Sequence, residues 1–236
     1  MRLLLIGYGK MGKAIEGFAL ERKHTIAGRL DPVAGHSFDF KTPVDVAIEF
    51  TAPESAEANI RLCLDKNIPV LSGTTGWLSR KKEMDAYCRS KGGTFFYASN
   101  YSLGVNIFFK LNEQLARMMA SLAAYDVSID ETHHTQKKDA PSGTAITLAE
   151  GILKHNKRKE RWVNHDSQTA SELPIQSFRE DPAPGTHVVR YRSSLDDIEI
   201  KHTAHSREGF ALGAIHVAEW LSSQKGVLGM DDFLKF

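Results

Sequence analysis

The chain has 236 residues, of which 42% are hydrophobic and 25% charged, and its formal net charge is +1. This is the composition of an ordinary globular protein of one large or two small domains, and the near-neutral charge argues against a nucleic-acid partner. The two cysteines, Cys63 and Cys88, are too few for a disulfide framework, and no apolar run reaches the ~20 residues of a membrane helix. We therefore expect a cytoplasmic protein with no nucleic-acid or membrane partner.

The first hundred residues alternate short apolar strands with helices. Strands are predicted at residues 3–6, 25–30, 44–50, 69–72 and 94–97, and helices at 10–21, 53–66 and 78–91. Apolar strands that are separated by helices are typical of a parallel sheet covered on both faces. The pattern predicts an α/β fold with a Rossmann-like, doubly wound parallel sheet.

The pattern changes after residue 103. A long helix is predicted at 105–122, followed by a strand at 125–131, a helix at 143–153, a polar loop at 154–172, strands at 188–191 and 198–203, and a final helix at 210–221. This predicts a smaller α+β domain with a mixed or antiparallel sheet. We assign residues 1–103 and 208–236 to a dinucleotide-binding domain, and residues 104–207 to a substrate-binding and oligomerisation domain.

A glycine motif follows the first predicted strand and opens the first helix. The run Gly7-Tyr8-Gly9-Lys10-Met11-Gly12 has the spacing of a dinucleotide fingerprint, in which glycines permit a tight turn and close approach to a pyrophosphate. Asp31 ends the second strand, where an acidic residue binds a ribose 2′-hydroxyl, and Pro32 stands where an arginine could bind a 2′-phosphate. NADH is therefore favoured over NADPH. Three basic residues could still approach a 2′-phosphate: Arg29, Lys10 and Lys41.

Two further loops follow later strands of the same predicted sheet. They are Ser72-Gly73-Thr74-Thr75-Gly76 and Ala98-Ser99-Asn100-Tyr101-Ser102. Ligands of open α/β sheets lie beyond the carboxyl ends of the strands, so both loops are candidates for contact with the nicotinamide half of the cofactor.

The segment from Glu131 to Ala145 combines imidazoles, an ammonium group and a helix start. His133 and His134 point to opposite sides of an extended chain, and Lys137 offers a charge for a carboxylate. The N–H groups of Gly143 and Thr144 are free to bind an anion at the helix start. Either Asp139 or Ser142 can cap that helix, with Asp139 expected to be a structural cap. No metal is expected, because no third ligand lies at useful local spacing and His202 and His205 would need the fold to bring them near.

These residues resemble the signature E-x-H-H-x-x-K-x-D-A-P-S-G-T-A of the 4-hydroxy-tetrahydrodipicolinate reductase (dihydrodipicolinate reductase) family, and every fixed position is matched. The glycine motif, Gly73–Gly76, Asn100–Asn106 and His202 to Ser206-Arg207 also resemble family segments in the same order. The chain is similar to a short member of that family over essentially its whole length.

The resemblance implies an NADH- or NADPH-dependent oxidoreductase of lysine and diaminopimelate biosynthesis that reduces a cyclic imine dicarboxylate to tetrahydrodipicolinate. It places acid/base chemistry on His133, proton donation on Lys137 and substrate carboxylate contacts on His134, Gly143 and Thr144. The implied cofactor contacts are Gly7 to Gly12, Asp31, Gly73, Thr74, Thr75, Ala98, Ser99, Asn100 and Tyr101. Family members are usually homotetramers built through the second domain's sheet. Whether the enzyme also catalyses the loss of water stays open.

Two rival functions are weaker. A nucleotide-sensing regulator would keep the glycine motif but would not need His133 and Lys137 together. A different two-domain oxidoreductase, acting on an aldehyde or an amino acid, would not need Lys137 beside an anion-binding helix start. The basic run Lys157-Arg158-Lys159-Glu160-Arg161 is read as a solvated loop rather than a nucleic-acid site, because the chain is otherwise near neutral.

Overall fold

A computed structural model describes residues 1–206 and 208–235 of the chain. Arg207, which the family resemblance included, lies outside the described residues. The chain divides into two units, one made of Met1–Leu103 with Glu208–Phe236 and the other of Gly104–Arg207. Within the described residues, no helix combines the length and apolar character needed to cross a bilayer.

The first unit is built on a parallel sheet. Its strands in the described chain are β1 (Arg2–Ile6), β2 (Thr25–Leu30), β3 (Val46–Glu49), β4 (Val70–Ser72), β5 (Thr94–Tyr97) and β11 (Gly226–Leu228). Their order is β11-β5-β4-β3-β1-β2, and every neighbouring pair is parallel. The predicted Rossmann-like, doubly wound sheet is confirmed. The edge strand β11 was not predicted, since three residues are too few to show a period.

Helices cover both faces of this sheet. They are α1 (Lys10–Glu21), α2 (Pro53–Asp65), α3 (Lys81–Ser90), α6 (Glu208–Leu221) and the short α7 (Met230–Leu234). Alternate residues of a strand point to opposite faces. Leu3 and Leu5 of β1 pack in the core with α1 and α6, whereas Leu4 and Ile6 pack in the core with α2 and α3. This explains why β1 is apolar throughout.

The second unit has a mixed sheet covered on one face by two helices. Its elements are α4 (Leu103–Met119), β6 (Asp126–His133), α5 (Gly143–His155), β7 (Arg161–Val163), β8 (Glu172–Arg179), β9 (Gly185–Arg192) and β10 (Asp197–Ala204). The strand order is β10-β9-β6-β8-β7, with β6 antiparallel to β9 and parallel to β8. The predicted α+β domain with a mixed sheet is confirmed.

The segment predicted as a solvated loop, residues 154–172, is structured instead. It contains β7 and reaches the start of β8. Lys159 of the basic run is buried, and its ammonium donates to the carbonyl oxygens of Ala170 and Glu172 at 2.9 and 2.8 Å. The Arg158 guanidinium donates to three backbone carbonyl oxygens that precede β6. Two charged side chains of this run therefore donate hydrogen bonds to backbone carbonyl oxygens. The number of charges in the run did not predict this role.

Candidate active site

The glycine motif forms a turn that tolerates no side chain at two of its positions. Gly7 has a positive φ of 89°, and a Cβ there would lie 2.0 Å from the carbonyl oxygen of Phe50. A Cβ on Gly12 would lie 2.3 Å from the carbonyl oxygen of Gly7. Gly9 is the N-cap of α1, and a Cβ there would meet no atom within 4 Å. The first N–H groups of α1 are thus left beside open space, as anion binding requires.

A cavity of ≈ 290 Å³ opens beside this turn. It lies where the chain leaves β1 and β3, which are neighbours in the sheet although β2 intervenes in sequence. Ligands of doubly wound sheets bind at such a switch point. The lining includes seven residues expected to contact a cofactor and two that were not: Gly9, Lys10, Met11, Gly12, Gly73, Thr74 and Thr75, with Phe50 and Thr51.

A buried carboxylate that was not predicted from the sequence supports this cavity. Glu49 ends β3 with no exposed surface. It accepts hydrogen bonds from the hydroxyls of Ser72 and Thr74 at 2.5 and 2.8 Å, and from the Thr51 backbone N–H at 3.1 Å. One side chain therefore fixes the loops that follow β3 and β4. A lone acidic residue at the end of an apolar strand was the available signal.

Asp31 lies at the end of β2, against the glycine turn. Its carboxylate accepts from the N–H of Tyr8 at 2.7 Å and of Ala34 at 3.0 Å, and these bonds lower its pKa below the usual range. Arg29, considered for a 2′-phosphate, is instead bound to Glu16, with its Nε 2.9 Å from the carboxylate, and lies over the Tyr8 ring. The nearby guanidinium is therefore already paired with a carboxylate, whereas Lys10, also considered for a 2′-phosphate, lines the cavity.

The loop after β5 contains both half-buried and core residues. Tyr101 is almost fully buried, and its hydroxyl donates to the carbonyl oxygen of Ser72 at 2.8 Å. The Tyr101 side chain thus belongs to the core, and only its backbone could meet a cofactor. The Asn100 side chain accepts from the N–H of Ser102 at 2.8 Å. Contact of Ala98, Ser99, Asn100 and Tyr101 with a cofactor stays a prediction.

In the second unit, β6 delivers the histidine pair. His133 is the last residue of the strand and is only 7% exposed, while His134 follows it and is half-buried. Burial lowers the pKa of His133, the nearby carboxylate of Glu131 opposes that shift, and the charges of Lys137 and Arg179 reinforce it. The imidazole is therefore neutral near pH 7 in the free protein. A bound dianion would favour its protonated form.

Lys137 follows in the loop after β6. Its ammonium lies 2.9 Å from both carboxylate oxygens of Asp139, and this pairing lowers the pKa of Asp139. Asp139 is therefore not the cap of the next helix, contrary to the expectation. The N-cap of α5 is Ser142, whose hydroxyl accepts from the N–H of Ala145 at 3.2 Å. Gly143 and Thr144 form the first turn of α5, and a Cβ on Gly143 would meet open space.

Two side chains lie beside His133, those of Glu131 and His187. The sequence placed Glu131 in the motif without giving it a role, and it gave no indication of His187. Their residues are directly paired across β6 and β9. The His187 ring lies edge-on to His133, with centroids 5.1 Å apart, and burial lowers the pKa of His187 to about 4. Extending the predicted strand 188–191 back by one residue would have put His187 on the same face as Val189 and Tyr191.

This juxtaposition brings together three potential metal ligands. The ligand atoms of Glu131, His133 and His187 lie within 4.8 Å of one another. A third ligand is thus supplied by the fold, although local spacing gave none. The surroundings are unfavourable for a cation, because Arg179 pairs with Glu131 at 3.4 Å and the charge of Lys137 acts on both imidazoles.

Comparisons with known proteins identify the family. The sequence models described as "Dihydrodipicolinate reductase, N-terminus" and "Dihydrodipicolinate reductase, C-terminus" match residues 1–101 and 104–234. A 4-hydroxy-tetrahydrodipicolinate reductase of Christiangramia forsetii is 49% identical over 99% of this chain and 98% of its own length. One of Methanosarcina acetivorans is 36% identical over 82% of this chain and 74% of its own.

A solved structure shows the same fold. The dipicolinate-bound dihydrodipicolinate reductase of Paenisporosarcina sp. TG-14 superposes with a TM-score of 0.79 over 97% of each chain, at 21% identity. Family models cover both units, and the sequence relatives extend over nearly the whole chain. The chain therefore belongs to the dihydrodipicolinate reductase family.

Proposed function

We propose that the loop after β6 and the start of α5 carry the proton transfer and substrate binding of a 4-hydroxy-tetrahydrodipicolinate reductase. The chain is an NAD(P)H-dependent oxidoreductase of lysine biosynthesis, as its family and its 49% identical relative indicate. The observation that carries the residue assignment is the position of His133, Lys137 and the N-terminus of α5 within one short segment of the second unit.

The chemistry of these groups divides into two tasks. His133 and Lys137 are the proton donors, because an imidazole and an ammonium can each release a proton to a substrate atom. Binding of the substrate carboxylates falls to His134 and to the N–H groups of Gly143 and Thr144. Those N–H groups lie in the first turn of α5, where no carbonyl of the helix can accept from them. When substrate binds, the Lys137 ammonium leaves the Asp139 carboxylate and contacts the substrate instead.

The first unit holds the cofactor. When bound, the reduced nicotinamide supplies the hydride. Gly7 and Tyr8 form the turn, the residues from Gly9 to Gly12 present backbone to the pyrophosphate, and Gly73 to Thr75 with the loop from Ala98 to Tyr101 reach the nicotinamide half. Asp31 accepts a ribose hydroxyl with its remaining lone pairs and repels a 2′-phosphate. We infer from this charge, and from the pairing of Arg29 with Glu16, that NADH is preferred.

We further infer that no metal takes part, because Arg179 and Lys137 already place positive charge beside the Glu131–His133–His187 cluster. Homotetramer formation is proposed through the face of the second sheet that α4 and α5 leave uncovered. The two cysteines are free buried thiols, which fits a reducing cytoplasm.

A coupled assay tests the proposal. Dihydrodipicolinate synthase supplies the substrate from pyruvate and aspartate semialdehyde, and the loss of absorbance at 340 nm is followed with NADH, then with NADPH, and again after treatment with EDTA. We expect oxidation that depends on the coupling enzyme, is faster with NADH and is unchanged by EDTA. Absence of oxidation in a folded, cofactor-binding protein would contradict the reaction, and a faster rate with NADPH would contradict the argument from Asp31.

A further inference from the structure

One carboxylate in the second unit is completely buried at the point where β6, β8 and β9 meet the start of α5. Glu131 has no exposed surface. Both of its oxygens lie 3.1 Å from the backbone N–H of Ser142, and Oε1 also accepts from the Ser177 hydroxyl at 2.8 Å and from Arg179 at 3.4 Å. Burial works to raise the pKa of Glu131, but the hydrogen bonds from Ser142 and Ser177 hold it below its usual value, so the group is ionised.

The second oxygen, Oε2, faces the imidazoles. It lies 3.4 Å from Nδ1 of His133 and 3.7 Å from Nε2 of His187. The His133 Nδ1 is buried and makes no hydrogen bond in the free protein, and the Glu131 oxygen at 3.4 Å is an ion-pair contact. Hydrogen bonds of catalytic groups are often long before substrate binds and shorten in the complex. The Nε2 edge of the ring faces Gly185, where a Cβ would lie 3.1 Å from Nε2, so the absence of a side chain at Gly185 leaves room beside that nitrogen.

We propose that Glu131 is a positioning residue for proton transfer: it holds His133 with Nδ1 inward and, through Ser142, holds the carboxylate-binding start of α5 in register with that ring. This deepens the proposed function and rests on it. With the Nδ1 proton facing Glu131, Nε2 is the atom that exchanges a proton with the substrate. The negative charge also stabilises the imidazolium form, as a carboxylate does behind other acid–base histidines.

His187 completes the arrangement. Its Nε2 lies 3.0 Å from the Ser142 hydroxyl, and its ring closes the side of the His133 ring. Because His187 is neutral at physiological pH, it adds no charge to the site. The charged groups that act on His133 are therefore Glu131 of β6, Lys137 and Asp139 of the following loop, and Arg179 of β8. Among these, Glu131 supplies the buried negative charge.

The first test needs no variant. The ¹⁵N chemical shifts of the imidazole nitrogens in the free protein distinguish the two neutral tautomers of His133. We expect the proton on Nδ1. A neutral His133 with its proton on Nε2 would overturn the proposal, whether or not the protein proves to be a reductase, because neither substrate nor cofactor is present.

The second test compares Glu131→Gln, Glu131→Asp and the control Glu172→Gln. Glu172 is a nearly buried carboxylate of the same sheet that binds Arg161 at 2.7 Å. Each protein is titrated by NMR at His133, and kcat and KM are measured against pH with NADH saturating.

We expect Glu131→Gln to lower the pKa of His133, to move the alkaline limb of the kcat/KM profile to lower pH, and to reduce kcat at least about tenfold, within the range of general-acid effects. Glu131→Asp should recover the pKa because it restores the charge. Glu172→Gln should change stability but neither the pKa nor the profile. An unchanged His133 pKa in a folded Glu131→Gln protein would overturn the proposal. If the unmodified protein had no reductase activity but Glu131→Gln still lowered the pKa of His133, the proposed function would be refuted instead.

Discussion

Burial lowers the pKa of two neighbouring histidines in the second unit, His133 and His187. His187 has a folded-state pKa of about 4 against an ordinary value of 6.5, because its ring is desolvated and lies beside His133. As the pH falls below 6.5 the unfolded chain takes up this proton before the folded one does. The contribution of His187 to stability is therefore present at neutral pH and is lost as the pH falls from 6.5 towards 4.

His187→Gln tests this dependence by removing the titrating group. One pKa unit corresponds to about 1.4 kcal/mol, so the unmodified protein should lose about 2–3 kcal/mol more free energy of unfolding between pH 7.5 and pH 4.5 than the variant loses. Urea unfolding at the two pH values measures the difference. His165→Gln is the control, because His165 is exposed, and it should follow the unmodified protein. Equal losses in all three proteins would show that His187 is not buried in its neutral form.

Sequence patterns predicted the residues proposed to react, but not the groups that support them. The run from Glu131 to Ala145 is contiguous, so His133, Lys137 and the cap of α5 were visible in one stretch. The pairing of Glu131 with His187 depends on the register between β6 and β9, and the contacts of Glu49 depend on the order of β3 and β4. Such register and strand order are set by long-range packing. Residue spacing therefore did not reveal them.

At the scale of single elements, α1 contains two glycines that have opposite roles. A Cβ on Gly12 would come within 2.3 Å of a backbone oxygen, whereas one on Gly17 would meet nothing within 4 Å. Gly12→Ala should lower the free energy of unfolding by about 1–3 kcal/mol. It should also weaken NADH binding about tenfold or more, which corresponds to at least 1.4 kcal/mol.

Gly17→Ala is the matched control in the same helix. It should raise the free energy of unfolding by about 0.5–1 kcal/mol, since alanine restricts the unfolded chain more than glycine does, and should leave NADH affinity unchanged. Fluorescence titration with NADH and urea unfolding provide both readouts. Indistinguishable effects of the two substitutions would refute the close packing of α1 on the glycine turn.

The ends of β3 and β4 are joined by Glu49. Glu49→Gln replaces one of two acceptor oxygens by an NH2 donor, so a hydroxyl or N–H that now donates to the carboxylate loses its acceptor. We expect a loss of about 1–3 kcal/mol in the free energy of unfolding, typical of a mispaired buried polar group. The KM for NADH should also rise, because Thr51 and Thr74 line the cavity. Glu54→Gln, an exposed residue of α2, should change neither quantity, and a Glu49 variant as mild as this control would contradict the assigned contacts.

The alternation of strands and helices predicted the first sheet well, because every buried strand carries an apolar run. It missed the edge strand β11 of the first sheet, and the edge strand β7 of the second sheet was not predicted either. Both have three residues, and β7 begins in the charged segment from Lys157 to Arg161. There, Lys159 is stabilised by backbone carbonyl oxygens and by Asp126 at 2.7 Å. The charge of this segment predicted a solvent-exposed loop, but the fold provides hydrogen-bond and ion-pair partners for Lys159.

At the scale of the whole molecule, the uncovered face of the second sheet is the proposed contact between copies. Phe178 pairs with Thr132, on the face away from the core, and remains 46% exposed. Light scattering after size exclusion should give about four times the 26.3 kDa chain mass. Phe178→Asp should lower this mass, and Leu195→Asp, which changes an exposed turn residue, should not. A monomer in the unmodified protein would contradict the proposal.

Cofactor binding is proposed for the first unit and proton transfer for the second, which is a division of labour between the two units. Lys137→Ala tests it most directly, with Lys138→Ala as the adjacent exposed control. Lys137→Ala should lower kcat about 10²–10⁴-fold, the range of general-acid effects, and leave the Kd for NADH unchanged. Lys138→Ala should preserve both quantities. Unchanged kcat in Lys137→Ala, or a collapse of its NADH affinity, would contradict the division.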